Sequence, residues 1–183
     1  MRIAALDLGT NSFHLLAVDA HADGSFVPLL KDKEMLRLGG WLASQGRLPD
    51  ELADEAVQTA QRLCSLAASA RCEEIVVCAT SALREAENGS EVVDRIEEAT
   101  GLSVRVINGR DEARLTFAAI RASIALPVRP TVCFDLGGGS LEVMVGDGAG
   151  LLWSTSVKLG VGRLSAELVR NDPPSKGDRR RLK

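Results

Sequence analysis

The sequence contains no tyrosine, and aromatic residues make up only 3% of its 183 positions. Stacking platforms for nucleic-acid bases depend on aromatic side chains, so a nucleic-acid partner is not expected. A basic excess is missing as well, since the net charge is −3. Five of the 22 basic residues crowd into the last eight positions, KGDRRRLK, leaving 17 basic against 24 acidic residues elsewhere. A polyanion therefore cannot be gathered by a bulk positive field. It would have to be met by local geometry, through backbone amides and a few placed cations.

Other absences narrow the field further. The four cysteines, Cys64, Cys72, Cys78 and Cys133, form no CxxC pair, and they read as buried structural thiols. Two histidines, His14 and His21, have no partner at metal-ligand spacing, so a zinc site is not expected. No apolar run approaches the roughly 20 residues that span a bilayer, and no membrane partner is expected. The N-terminal MRIAALDLGTNS turns polar after six residues. It carries no secretory h-region, which gives a cytoplasmic address as the expectation.

What is present is an ordinary globular composition, with 45% apolar and 26% charged residues. Apolar strand-like runs cover 1–8, 13–19 and 25–38, the last broken by Gly39 and Gly40. Pro49-Asp50 opens a helix with apolar positions 52, 56, 60, 63 and 67, the 3.6-residue period. Strands at 73–80 and 103–107 alternate with helices SALREAE, SEVVDRIEEAT and DEARLTFAAIRAS. Beyond Pro127 and Pro130 come the strands TVCFDL, SLEVMVGD and LLWSTSVKL and the helix GRLSAELVR. Ser175 reads as the N-cap of one more helix. The pattern predicts an α/β fold with a mixed sheet and flanking helices, divided near the proline-bounded stretch 125–130 into 1–125 and 126–183.

The most informative feature is an internal echo. IAALDLGTNSFHLLAV at 3–18 and TVCFDLGGGSLEVMVG at 131–146 both run apolar strand, Asp-Leu-Gly-x-x-Ser, apolar strand. Asp7 aligns with Asp135, 128 residues further on; Gly9 aligns with Gly137 and Ser12 with Ser140. A glycine at a hairpin bend lets backbone amides approach a ligand closely. Thr10, Asn11, Ser12 and Ser140 add side-chain donors, while Gly137, Gly138 and Gly139 leave an open anion cradle. Asp7 and Asp135 at the strand ends can hold a hydrated Mg²⁺, with Glu142 as a third candidate ligand. Either loop alone reads more readily as a plain glycine turn. The matched pair reads as a clamp closing on one phosphate chain from two sides.

DLGTNSFHLL, ATSALREAEN, VINGRDEARLTF, FDLGGGSLEV and KLGVGRL, in this order, resemble the Ppx/GppA family of exopolyphosphatases and guanosine-pentaphosphate phosphatases. The two loops resemble the phosphate-binding hairpins of the wider actin-like ATPase superfamily. This resemblance implies a ribonuclease H-like fold, with one full domain and the first part of a second, similar one. The family's second domain runs on past KLGVGRL to a further G-x-S-G-T-type loop, which does not occur after residue 160. The expectation is a C-terminally shortened chain whose second sheet exposes apolar surface, favouring a homodimer.

Glu112 sits in the first turn of a helix, where the helix dipole would keep its carboxylate ionised. On its own it is equally a dipole-stabilising surface residue. The resemblance implies that it is the general base of the "E-A-R" signature, although Asp111 replaces the glutamate often found before it. The resemblance also implies a phosphate contact for Arg84; a solvated helix arginine is the alternative. Lys31, Lys33 and Arg37 share one face of the third extended segment. They are either a polyanion track or a solvated face.

The expected activity is hydrolysis of the terminal phosphoanhydride of inorganic polyphosphate, with Mg²⁺ as cofactor. The alternatives are pppGpp hydrolysis in the stringent response, a superfamily kinase, or a binder of polyphosphate or alarmone without turnover.

Overall fold

The first hairpin fixes the register of the whole amino-terminal sheet. In the computed structural model, which describes residues 1–183, β1 (Arg2–Leu8) alternates, with Ala4, Leu6 and Leu8 buried on one face. Asp7 points to the other. β2 (Ser12–Ala20) returns antiparallel and sets Asp7 opposite His14; β3 (Phe26–Met35) continues the meander and sets His14 opposite Lys33. On the far side of β1, β4 (Glu74–Ala79) and β5 (Val104–Val106) pair in parallel, giving the order β3-β2-β1-β4-β5.

The buried face is closed by helices. α2 (Asp50–Ser69) presents Ala53, Ala56, Ala60, Leu63 and Ala67, a stripe whose small side chains let the helix lie close on the strands. Pro49 stands immediately before its first turn, where Asp50 and Glu51 suit the positive end of the dipole. α4 (Gly89–Thr100) adds Val92, Val93 and Ile96 to the same core and ends on Gly101 in a left-handed conformation. Cys64 is buried in that core, and all four cysteines are free thiols.

Three features depart from the sequence reading. Gly39 and Gly40 do not merely break an extended segment: α1 (Leu38–Gln45) runs through both. Gly39 is needed there, because a Cβ would lie 2.8 Å from the Thr10 methyl. β3 therefore stops at Met35, and Arg37 takes a left-handed conformation (φ 54°) at the start of α1. Arg37 leaves the strand face that it was expected to share with Lys31 and Lys33. The pull comes from Leu36, Leu38 and Leu42, which are buried in the core.

The third departure concerns α5 (Gly109–Ser123). At the sequence level it falls with residues 1–125. In the structure its apolar side, Ala113 and Phe117, packs on Met144 of a second sheet. That sheet is the antiparallel meander β6 (Thr131–Leu136), β7 (Leu141–Gly146) and β8 (Leu151–Val157). Its other face is open, with Val132, Phe134, Leu136 and Trp153 exposed, as the sequence led us to expect. α6 (Val161–Leu168) follows β8 and packs on α1. α7 (Lys176–Arg181) is entered through Ser175, the N-cap expected from sequence, which forms a capping box with Asp178. α3 (Ser81–Glu85) directly follows β4. No helix is long and apolar enough to cross a membrane.

Candidate active site

The two sequence-matched hairpins face each other across a cleft of about 340 Å³. It is lined by Asp7, Gly9, Thr10, Asn11 and Ser12 from the first hairpin, and by Asp135, Gly137, Gly138, Gly139, Ser140 and Glu142 from the second. Glu112 from α5 joins them. All the candidate residues named from the two loops are thus brought together.

Local hydrogen bonds explain how each loop is held. In the second loop the carbonyls of Gly137, Gly138 and Gly139 accept from the N–H groups of Val161 (2.9 Å), Gly162 (2.9 Å) and Gly160 (3.3 Å) at the start of α6. A trans peptide directs its N–H opposite to its C=O. The amides of Gly138, Gly139 and Ser140 therefore point away from α6, into the cleft. The first loop repeats the device with α1. The carbonyl of Thr10 accepts from Gly39 N–H (3.3 Å), and that of Asn11 from Leu36 N–H (3.0 Å) and Arg37 N–H (2.8 Å). Both hairpins thus turn their carbonyls toward the start of a helix, α1 or α6, and their amides toward one space, which suits phosphate oxygens.

The glycines of the second loop have a further role. A Cβ on Gly138 would meet the Asn11 side chain at 2.5 Å, and one on Gly139 would meet Ser81 Oγ at 2.4 Å and Thr10 Oγ1 at 2.8 Å. These glycines let one loop pack directly on the other. Thr10 Oγ1 in turn accepts from Ala82 N–H at 3.1 Å, which fixes the first loop to α3.

The acid chemistry of the cleft is unusual. Asp7, Glu112, Asp135 and Glu142 stand against a single lining lysine, Lys33. Glu142 is buried and accepts from Ser156 Oγ at 2.7 Å; Asp135 accepts from Thr116 Oγ1 at 3.2 Å. Burial, then the Asp135 charge, raises Asp7 to about 6. Asp7 keeps part of its surface in water, which weakens this repulsion. Burial, then the Glu142 charge, raises Glu112 to about 7. This corrects the expectation that the helix dipole would hold Glu112 low. Desolvation and neighbouring carboxylates outweigh the dipole and the Arg84 guanidinium. Burial and Lys33 lower the pKa of His14, whose Nε2 lies 2.7 Å from Ser12 Oγ.

Arg84 is placed differently from its expected phosphate contact. It does not line the cleft. Its Nη1 donates to Ile107 O at 2.6 Å and to Glu112 Oε2 at 3.2 Å, so it orients the carboxylate. Sequence reasoning also missed Glu85. That residue accepts from Ser81 Oγ (2.9 Å) and pairs with Lys158 and Arg163 (2.8 Å each), tying α3 to the segment after β8. Its signal was its place beside Arg84 in a motif, with both basic partners in KLGVGRL. His14 and Lys33 were legible from hairpin register alone, since both fall opposite the Asp7 line.

Asp7→Asn is expected to stabilise the fold. A carboxylate with a raised pKa weakens the native state above that pKa, and the penalty fades as pH falls toward the ordinary aspartate value. After allowance for solvent screening, the gain at pH 8 with chelator present is about 1–2 kcal/mol, or several degrees in Tm. Near pH 4 the two melting curves converge. A lower Tm for Asp7→Asn at pH 8 would contradict this electrostatic account.

Comparison with known proteins follows the same outline. The sequence profile of the Ppx/GppA phosphatase family matches residues 17–183. Exopolyphosphatase 1 of Mycobacterium tuberculosis is 39% identical over 176 residues, 96% of this chain and 51% of that protein. The Mycobacterium leprae exopolyphosphatase 1 is 38% identical over the same length. The chain spans about half the length of the curated relatives it matches. An exopolyphosphatase crystal structure from Cytophaga hutchinsonii superposes with a TM-score of 0.91 at 30% identity, covering 98% of this chain and 57% of that one. The Aquifex aeolicus Ppx/GppA family member superposes at 0.78 with 27% identity, over 100% and 59%. More distant likeness, to an ethanolamine utilization protein EutJ at 16% identity and TM-score 0.53, concerns the fold alone. The expected α/β class, a mixed sheet with flanking helices, is the observed one.

Proposed function

The chain belongs to the Ppx/GppA phosphatase family, and from that premise we propose that it hydrolyses the terminal phosphoanhydride of inorganic polyphosphate. The observation that carries this reading is the pair of hairpins with their amides turned into one cleft, beside a carboxylate whose pKa lies near neutrality. A general base works best when its pKa lies near the working pH.

In this reading the loop amides of Gly138, Gly139 and Ser140, with Asn11 and Ser12 opposite, hold the terminal phosphoryl group. Glu112 accepts a proton from a water whose oxygen attacks the terminal phosphorus. The bond from that phosphorus to the bridging oxygen breaks. Orthophosphate leaves, and the shortened chain keeps the bridging oxygen. Charge growing on the equatorial oxygens is met by the amides, the main source of rate in phosphoryl transfer. Arg84 is a positioning residue for Glu112.

The donor set fits a divalent cation of the magnesium type. An ion of this type uses one or two carboxylates, waters and substrate phosphate, and Asp7 and Asp135 both line the cleft. Asp7 and Asp135 would hold it, with Glu142 behind them. When bound, Mg²⁺ would offset the four carboxylates and polarise phosphate oxygens.

Polyphosphate is favoured over pppGpp because the cleft wall is almost entirely polar, with Met35, Leu136 and Val161 its only large apolar residues. Release of orthophosphate from both substrates, measured side by side with Mg²⁺, tests the choice. Faster turnover of polyphosphate is expected. A preference for pppGpp would replace the substrate and keep the mechanism; tight binding of both without release would overturn the enzyme reading.

A further inference from the structure

The three peptides of the second loop are not held alike. The carbonyls of Gly137 and Gly138 each accept a main-chain bond of 2.9 Å, from Val161 and Gly162, and Gly138 O accepts a further one from Arg163 N–H at 3.2 Å. The Gly139 carbonyl has longer bonds, from Gly160 N–H at 3.3 Å and from the Arg163 side chain, through Nε, at 3.4 Å. The Gly139–Ser140 peptide is therefore the one of the three that a side chain holds. It is also the peptide that aims the Ser140 amide into the cleft.

The Arg163 guanidinium is itself held. Its Nη2 donates to Glu85 Oε2 at 2.8 Å, and the two side chains are only 16% and 13% exposed. Glu85 Oε1 accepts from the buried Ser81 Oγ at 2.9 Å. Against the cost of burial, hydrogen bonds from Lys158 and Ser81 and the Arg163 charge hold the Glu85 carboxyl below its ordinary range. Lys158 is 69% exposed, and an exposed ion pair adds little. A planar guanidinium presents Nε and Nη2 in fixed directions, so a partner on Nη2 also fixes Nε. A lysine ammonium is a point donor and lacks that fork. α3 thus serves the site twice. Arg84 orients the Glu112 carboxylate, and the next residue, Glu85, acts on the second loop.

We propose that Arg163 is a positioning residue for the Ser140 amide, and that Glu85 sets Arg163. Neither side chain lines the cleft. The pair acts through the direction of one N–H bond, which meets charge growing on the phosphoryl oxygens. The consequence for rate rests on the hydrolase reading; the direction of the bond does not.

Arg163→Lys separates this role from plain packing, because it keeps a cation for Glu85 and loses the fork. Its melting temperature is expected to match wild type. With Mg²⁺ and polyphosphate, kcat is expected to fall roughly tenfold or more, since a donor lost outright costs about a hundredfold. KM is expected to stay nearly unchanged, the mark of an interaction made only in the transition state. Residual dipolar couplings report the direction of each N–H bond. The Ser140 coupling is expected to change, while those of Gly138 and Gly139 stay as in wild type. Glu85→Gln, which loosens the guanidinium, is expected to give the same pattern, and Lys158→Met neither change. Wild-type kcat in Arg163→Lys, an unmoved Ser140 coupling, or a loss of rate matched by a fall in melting temperature would overturn the proposal. If Arg163→Lys does not fold, Glu85→Gln decides by the same readings; failure of both to fold makes the pair structural and overturns it. If the wild type does not turn over polyphosphate, the hydrolase reading fails, and the Ser140 coupling alone decides the positioning role.

Discussion

Glu112→Gln is expected to lower the rate of phosphate release from polyphosphate about a thousandfold, with KM changed by only a few fold. The amide keeps the size of the side chain and can still receive the Arg84 hydrogen bond, now made to Glu112 Oε2 at 3.2 Å. What it loses is proton affinity. General-base contributions run from about 10² to 10⁴ in rate, and the middle of that range is the expectation. The pH dependence gives the same carboxylate a second signature. Burial and the Glu142 charge raise Glu112 to about 7, so the base is protonated and idle below that value. The wild-type rate should fall as pH drops through 7, and the small residual rate of Glu112→Gln should lack that limb. A variant within tenfold of wild type, or one that keeps the limb, would remove Glu112 from the role of base.

Gly160→Ala is the second large effect, and it acts without touching substrate. An added Cβ would lie 2.4 Å from the carbonyl carbon and oxygen of Gly138 and from the carbonyl carbon of Gly139. These are backbone atoms and cannot rotate aside. The clash falls where Gly160, Val161 and Gly162 donate to the second loop, so the loop must move and its amides lose their aim. Overpacking of this kind costs about 1–3 kcal/mol, which is several degrees in Tm for a chain of this size. Phosphate release is expected to fall about a hundredfold, since donors aimed at developing charge are each worth that much or more. Gly137→Ala is the control. Its nearest neighbour is Ser140 O at 3.4 Å, and less than a tenfold loss is expected. Wild-type rate and melting temperature in Gly160→Ala would show that α6 does not set the loop.

The fold was largely legible because its signals are local. The apolar run of β1, the 3.6-residue stripe of α2 and the N-cap at Ser175 are each written within one element. The paired hairpins were legible because the same Asp-Leu-Gly-x-x-Ser pattern occurs twice. Tertiary context decided what the sequence could not show. α1 forms through two glycines because buried leucines and the Thr10 methyl demand a close approach. α5 joins the second sheet because Phe117 finds Met144 there. The titration of Glu112 depends on Glu142, which is 30 residues away in sequence and reaches the cleft from a different strand. Arg84 points to Glu112 and Ile107 for the same reason. Partners far apart in sequence leave no periodic trace, whereas turn residues do.

The central claim is that water directed by Glu112 attacks the terminal phosphorus of a chain held between the two loops. Turnover of polyphosphate in ¹⁸O-enriched water tests it most directly. The account predicts one solvent oxygen in each orthophosphate released by the wild-type chain and no label in the shortened polyphosphate. Label in the shortened chain, or phosphate transferred to another acceptor with no label incorporated, would contradict it.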